Sequence, residues 1–137
     1  MGPCSISNSP VADRPHKQTI VLLDDDESFR SALAENLRDD GYHVVEYATA
    51  HEVPPLTALG EVGVVVTDYD MPGTNGLTFA DTFHAVYPSV PIIIVTGVCT
   101  KNLEAQAAAR GFVCLLHKPV EYDQLHHLLH GASGLGS

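Results

Sequence analysis

Val64-Val65-Val66-Thr67-Asp68-Tyr69-Asp70-Met71-Pro72-Gly73-Thr74-Asn75-Gly76 is an apolar, β-branched run that ends in an aspartate and passes at once into a turn built on Pro72, Gly73, Asn75 and Gly76. The pattern predicts a buried strand with Asp68 at its carboxyl end. In open parallel α/β sheets that edge is where ligands bind, because the loops leaving the strands open a crevice there. Asp68 has two readings: a cap for the turn, as Asp commonly is, or the first candidate for chemistry.

The flanking sequence repeats the arrangement. Thr19-Ile20-Val21-Leu22-Leu23 is a short continuous apolar run, typical of a strand covered on both faces, and it ends in Asp24-Asp25-Asp26. Asp26 is placed to cap a following helix, on which Phe29, Leu33 and Leu37 recur and after which Gly41 stands at the expected C-terminus. His43 to Tyr47 predicts a second strand, and the Pro54-Pro55 pair allows only a short or broken second helix before Glu61. Leu77, Ala80, Phe83 and Val86 or Tyr87 predict an amphipathic helix closed by Pro88. Pro91 to Gly97 is the most hydrophobic strand, expected to be central, with Thr96 at its end. An Ala-rich helix over Asn102 to Arg110, a strand over Phe112 to Leu116 ending at His117-Lys118-Pro119, and a helix over Glu121 to about His130 complete the chain. The Gly-Ser stretch from Gly131 is expected to stop that last helix.

Five short strands alternating with helical segments imply right-handed crossovers. The expected fold class is α/β: a flavodoxin-like, doubly wound, five-stranded parallel sheet of strand order 2-1-3-4-5 with helices on both faces.

With 137 residues, one domain with a proper core is expected, at 18–131, between a flexible tail at 1–17 and a flexible tail or truncated linker at 132–137. The net charge of −10, with only seven Lys and Arg, argues against a nucleic-acid surface. No apolar run reaches the length of a membrane span, and the N-terminus lacks the order of a signal peptide, so a cytoplasmic protein is expected. Cys4, Cys99 and Cys114 lack metal-site spacing and read as reduced thiols, with Cys114 in the core. His126 and His130 share a helical face, but no spacing supplies a third ligand, so a solvated polar face is expected there.

The first and third strands are neighbours in the expected order, which brings Asp24, Asp25 and Asp68 to one edge. Like charges a few ångströms apart stay ionised together only where a cation or strong donors compensate. Hard carboxylate oxygens suit Mg²⁺, which favours one or two protein carboxylates plus a phosphate oxygen. Thr96 and Lys118 reach the same crevice from the fourth and fifth strands and offer a hydroxyl and an ammonium to a phosphoryl group. The natural product is an aspartyl phosphate. Each residue alone has an ordinary structural role; their joint placement at four strand ends is what points to chemistry.

At Leu22-Leu23-Asp24-Asp25-Asp26, Thr67-Asp68-Tyr69-Asp70-Met71-Pro72-Gly73 with Asn75-Gly76, Val95-Thr96-Gly97 and Lys118-Pro119, the sequence resembles the receiver domain of bacterial two-component response regulators. The resemblance covers about Gln18 to His130. It implies Asp68 as phosphoacceptor, with Asp25 as a direct Mg²⁺ ligand and Asp24 as a metal-site acid acting largely through water. The backbone carbonyl of Asp70 would complete the metal site, Thr96 and Lys118 would contact the phosphoryl oxygens, and the Lys118-Pro119 bond would be cis. It further implies a sensor histidine kinase or histidine phosphotransfer protein as donor, and a downstream protein or a lost output domain as recipient; a homodimer is left open. Such a domain phosphorylates itself, slowly loses the group, and is not a turnover enzyme.

There are departures from the family pattern. Leu115 stands three residues before Lys118, where the family often carries a Tyr or Phe that swings inward, and a leucine lacks that area and polar handle. Asp70 and Val98, each two residues beyond a site residue, occupy positions that in the family tune the lifetime of the phosphoryl group. Two rivals remain in view. One is a pseudo-receiver that binds partners without phosphorylation, motivated by Leu115 and the broken second helix. The other is a haloacid dehalogenase-like phosphatase, suggested by Asp68-Tyr69-Asp70 and opposed by Pro72 and by an acidic pair that precedes the nucleophile strand.

Overall fold

A computed structural model describes residues 18–135, with side chains to residue 129. The tail expected at 1–17, with Cys4, lies outside the described residues, as do residues 136–137. The strands are β1 (Thr19–Leu23), β2 (His43–Tyr47), β3 (Val64–Asp68), β4 (Ile92–Thr96) and β5 (Val113–His117). They form one parallel sheet in the order β2-β1-β3-β4-β5, as expected. β3 is the middle strand; β4 lies between β3 and β5, one place from the centre.

Alternation along these strands divides the core. Ile20, Leu22, Val64, Val66, Ile93, Val95 and Leu116 face helices α1 (Glu27–Asp39) and α4 (Tyr122–Leu135), where Leu33, Leu37, Leu125 and Leu129 meet them. Val21, Leu23, Val65, Ile92 and Ile94 face α2 (Gly76–Val86) and α3 (Lys101–Ala109), with Leu77, Ala80, Phe83 and Leu103. On α2, Tyr87 rather than Val86 continues the packed stripe: Val86 is exposed, whereas the Tyr87 ring stacks on Phe83. Two 3₁₀ turns, Ala50–Glu52 and Leu56–Ala58, stand in place of a second helix, because Pro54 and Pro55 remove the donors a helix needs. The Tyr87 hydroxyl pins them by donating to the carbonyls of Leu56 and Gly60.

Two expectations fail. Cys114 is exposed, not core, because β5 has a strand neighbour on one side only and the residue lies at that open edge. The last helix runs past Gly131 and Gly134 to Leu135: each glycine costs a helix only about 1 kcal/mol relative to alanine, and the helical segment contains no proline.

Arg110, just beyond α3, grips Asp81 of α2 through Nε–Oδ1 and Nη2–Oδ2 contacts of 2.7 and 2.9 Å. The guanidinium hydrogen bonds hold the Asp81 carboxyl below its ordinary range. A depressed carboxyl stabilises above the unfolded pKa, and the contribution is lost as pH falls through the folded value. Asp81→Asn is therefore expected to cost about 0.5 kcal/mol in urea unfolding at neutral pH, with the gap from the parent closing below about pH 4.

Candidate functional site

Four strands build the carboxyl edge of the sheet. β1 delivers Asp24, nearly fully buried, whose Oδ1 accepts the Asp26 N–H at 2.9 Å. Asp26 in turn caps α1, accepting from the Phe29 N–H at 3.1 Å. The acidic run thus divides its labour: Asp24 faces the crevice, Asp25 is exposed at its rim, and Asp26 starts the helix. The loop is also tied from behind. Arg30 donates to the Asp24 carbonyl at 2.7 Å and pairs with Glu46 of β2 at 3.1 Å; Arg38 holds the other Glu46 oxygen at 3.0 Å.

β3 delivers Asp68, 7% exposed, directly beside β1. Ligand oxygens of Asp24, Asp25 and Asp68 lie within 4.8 Å of one another. After Asp68 the chain turns through Pro72 and Gly73 in a two-residue ribbon pairing Asp70 with Asn75 and Met71 with Thr74. Asn75 then caps α2 through Thr78. Gly73 has a φ of 81°, which side chains rarely adopt. Gly76 answers a different need, since a Cβ there would lie 2.9 Å from the Asp68 carbonyl oxygen and 3.1 Å from the Tyr69 Cα. Gly76→Ala is expected to cost about 1–3 kcal/mol in chemical denaturation and to weaken metal binding by displacing Asp68. An alanine variant as stable as the parent, with unchanged metal affinity, would contradict this.

β5 delivers Lys118 across a cis bond to Pro119. Its ammonium lies 3.4 Å from Asp68 Oδ1 and 3.5 Å from Asp24 Oδ2, so it bridges two buried carboxylates. Burial raises the Asp24 and Asp68 carboxyls above their ordinary range, and Asp24 adds to the rise at Asp68; the Lys118 charge opposes both shifts. Burial works to lower the Lys118 pKa, but Asp24 and Asp68 outweigh it and the ammonium is held charged. Three carboxylates against one ammonium leave the cluster short of positive charge.

Thr96 ends β4, one residue beyond Val95, the register partner of Asp68. Its buried hydroxyl is committed to its own loop, donating to the Val98 carbonyl at 2.8 Å and accepting the Val98 N–H at 3.2 Å. A cleft of about 230 Å³ opens beside it, lined by Tyr69, Asp70, Val98 and Thr100. A larger cavity of about 740 Å³, around Thr19, His43 and Gly63, lies at the opposite, amino-terminal edge of the sheet and touches none of these groups. Leu115 is half-buried against the α2–α3 core, while Phe112 stacks on His84 with ring centroids 3.7 Å apart. The Asp70 side chain is exposed.

Residues 20–130 match the response regulator receiver domain family. The chain belongs to that family. It is 32% identical over 107 residues to the C4-dicarboxylate transport transcriptional regulatory protein DctD of Rhizobium meliloti (strain 1021), covering 78% of this chain and 23% of that protein. It is 30% identical over 112 residues to the putative response regulator NtrX-like of Rickettsia typhi (strain ATCC VR-144 / Wilmington), covering 80% and 24%. The chain thus spans about a quarter of the length of these relatives. Among solved structures, the signal receiver domain of an HD domain-containing protein from Pseudomonas fluorescens Pf-5 superposes with a TM-score of 0.78 at 25% identity, covering 96% of this chain and 92% of that one. The beryllofluoride-activated NtrC4 receiver domain dimer gives 0.76 at 25% identity, covering 87% and 98%. Receiver domains are signalling elements of two-component systems, and this one has an acidic cluster of Asp24, Asp25 and Asp68 at the carboxyl edge of its sheet.

Other expectations meet mixed geometry. Cys99 donates to Glu104 at 3.4 Å, and burial together with that carboxylate pushes its thiol pKa up, away from reactivity. His126 is not simply solvated: its Nε2 lies 3.4 Å from Asp40, which also accepts the Tyr122 hydroxyl at 2.5 Å. The His130 side chain lies outside the described residues. Sequence reasoning missed the Arg30–Glu46 tie and the contact of Phe29 with Lys118; the only available signal was the position of both residues in the first turn of α1. Among the described residues, no helix is long and apolar enough to cross a membrane.

Proposed function

We propose that residues 18–131 act as a phosphoacceptor in a two-component phosphorelay, with Asp68 taking the phosphoryl group. The observation that carries this reading is the convergence of Asp24, Asp25 and Asp68 within 4.8 Å, bridged by an ammonium 3.4 and 3.5 Å from two of them. The donor set is all hard oxygen and is under-neutralised, which fits Mg²⁺, with Asp24, Asp25, Asp68 and the Asp70 carbonyl as its protein ligands. When bound, the metal neutralises charge on the incoming phosphoryl oxygens.

The donor in this reading is a phosphohistidine of a sensor kinase or phosphotransfer protein in the cytoplasm. An Asp68 oxygen attacks in line: the O–P bond forms as the P–N bond breaks, and the departing imidazole keeps the electron pair and takes up a proton. Lys118 meets the new oxygens with the ammonium it already presents. Thr96 exchanges its Val98 acceptor for a phosphoryl oxygen, and that exchange biases the loop and the surface beyond it. Slow hydrolysis resets the state, at a rate tuned by Asp70 and Val98. The recipient is a downstream protein or an output domain, as the much longer transcriptional regulators it resembles suggest; the NtrC4 receiver dimer makes self-association a natural companion of activation.

Intact mass after incubation with acetyl phosphate and Mg²⁺ tests this. One added phosphoryl group, lost when the metal is chelated, is expected. No adduct under any donor would favour the pseudo-receiver, and steady turnover of a phosphomonoester would favour a phosphatase.

A further inference from the structure

Lys118 is held on three sides. Besides the two carboxylates, its ammonium sits over the ring of Phe29, 5.1 Å from the centroid. Phe29 belongs to the first turn of α1, and its own backbone N–H is the one that Asp26 caps. The cap therefore fixes the residue whose ring faces the ammonium. The rest of the ring packs half-buried on the core between the sheet and α1 and α4, so the face cannot turn away freely.

We propose that Phe29 is a positioning residue for Lys118: its ring face confines the ammonium to the crevice, beside Asp24 and Asp68, ready for an arriving phosphoryl group. The inference rests on the reading of Asp68 as phosphoacceptor. The physical case is that a lysine has a long, freely rotating stem and a compact charge, and loses much freedom when held in one place. The negative face of an aromatic ring attracts that charge without claiming a particular N–H. A third carboxylate in the same place would compete for the donors that the phosphoryl oxygens need. The ring leaves all three N–H groups free for the change from two carboxylates to a carboxylate and a phosphoryl group. Asp26 thereby has an indirect part in the site although it faces away from it.

The test separates ring electronics from packing. In the full chain, Phe29 is replaced by phenylalanines of increasing fluorination, which drain the ring face while nearly keeping its volume, and by Phe29→Leu and Phe29→Tyr. The rate of phosphorylation by acetyl phosphate at saturating Mg²⁺ is expected to fall stepwise with fluorination. Phe29→Leu should be about two- to fivefold slower and Phe29→Tyr near the parent. Mg²⁺ affinity should change little across the series. In the Lys118→Met background, fluorination should have no effect. Independently of phosphorylation, the Lys118 Hε proton signals should be ring-shifted in the parent and return to ordinary values in Phe29→Leu. A parent that is phosphorylated at a rate indifferent to fluorination, or with unshifted Lys118 protons, overturns the role of Phe29 alone. Equal slowing by fluorination in the Lys118→Met background overturns it as well, since the ring would then act through packing. A parent that takes no phosphoryl group overturns the phosphoacceptor reading, and this inference with it.

Discussion

Asp68→Asn is expected to take up no phosphoryl group from acetyl phosphate, and also to make the metal-free fold more stable at neutral pH. The first outcome follows because an amide oxygen is a poor nucleophile and no other acid in the cluster is held in the same place. The second follows from the charge count. Asp24, Asp25 and Asp68 bring ligand oxygens within 4.8 Å of one another, with Lys118 as the bridging cation. At an effective dielectric near 20, a like-charge pair at such a distance costs about 3–4 kcal/mol before Lys118 offsets part of it. Neutralising one member while keeping its shape should therefore add about 1–2 kcal/mol in urea unfolding without metal. The pH sense agrees: the Asp24 and Asp68 carboxyls are raised, so the folded state holds protons more tightly, and stability falls as pH rises from the ordinary carboxylate range through their folded values. The asparagine variant should lose part of that slope, along with most of the stabilisation that added Mg²⁺ gives the parent. A variant still phosphorylated at the parental rate would move the acceptor elsewhere. A variant less stable than the parent without metal would show that Lys118 already balances the cluster.

Lys118→Met should act in the opposite sense on stability. Removing the ammonium leaves Asp24 and Asp68, both buried, without their cation. Breaking a fully buried pair costs about 3–5 kcal/mol; with the Lys118 side chain 28% exposed, about 1–3 kcal/mol is expected for the metal-free protein, largely restored by Mg²⁺. Phosphorylation should slow by about a hundredfold, the usual loss when one fixed charge-stabilising group is removed from a transfer site. Lys118→Arg is expected to recover the stability better than the rate, since a planar guanidinium spreads the charge a compact ammonium concentrates. Parallel urea titrations and single-turnover phosphorylation would check both halves. A methionine variant that reacts at the parental rate would remove Lys118 from the chemistry and reduce it to a structural counter-ion.

What could be read from sequence was whatever depends on neighbours along the chain. The β-branched runs ending at Asp24, Asp68 and Thr96, the cap at Asp26, the C-terminal Gly41 with its φ of 97° and the break at Pro54-Pro55 are local statements, and each appears where the periodicity and turn chemistry put it. The strand order followed as well, because right-handed crossovers leave few alternatives. Gly131 and Cys114 misled for the same reason: a residue's type describes its average setting, whereas a helix of tolerant neighbours carries Gly131 and Gly134, and an edge strand exposes a residue that a middle strand would bury.

The amino-acid sequence by itself determined that acids, a hydroxyl and an ammonium stand at one edge of a parallel sheet, because alternation and strand ends are local properties. Only the tertiary structure decided how they meet. Strand register and helix docking place the ammonium between two carboxylates and beneath a phenylalanine face, turn the Thr96 hydroxyl onto Val98, and anchor the acidic loop through Arg30 to Glu46. Most of those contacts, Lys118 with Asp24, Asp68 and Phe29 and Arg30 with Glu46, join residues far apart in the chain, and their distances are set by packing that no local pattern encodes.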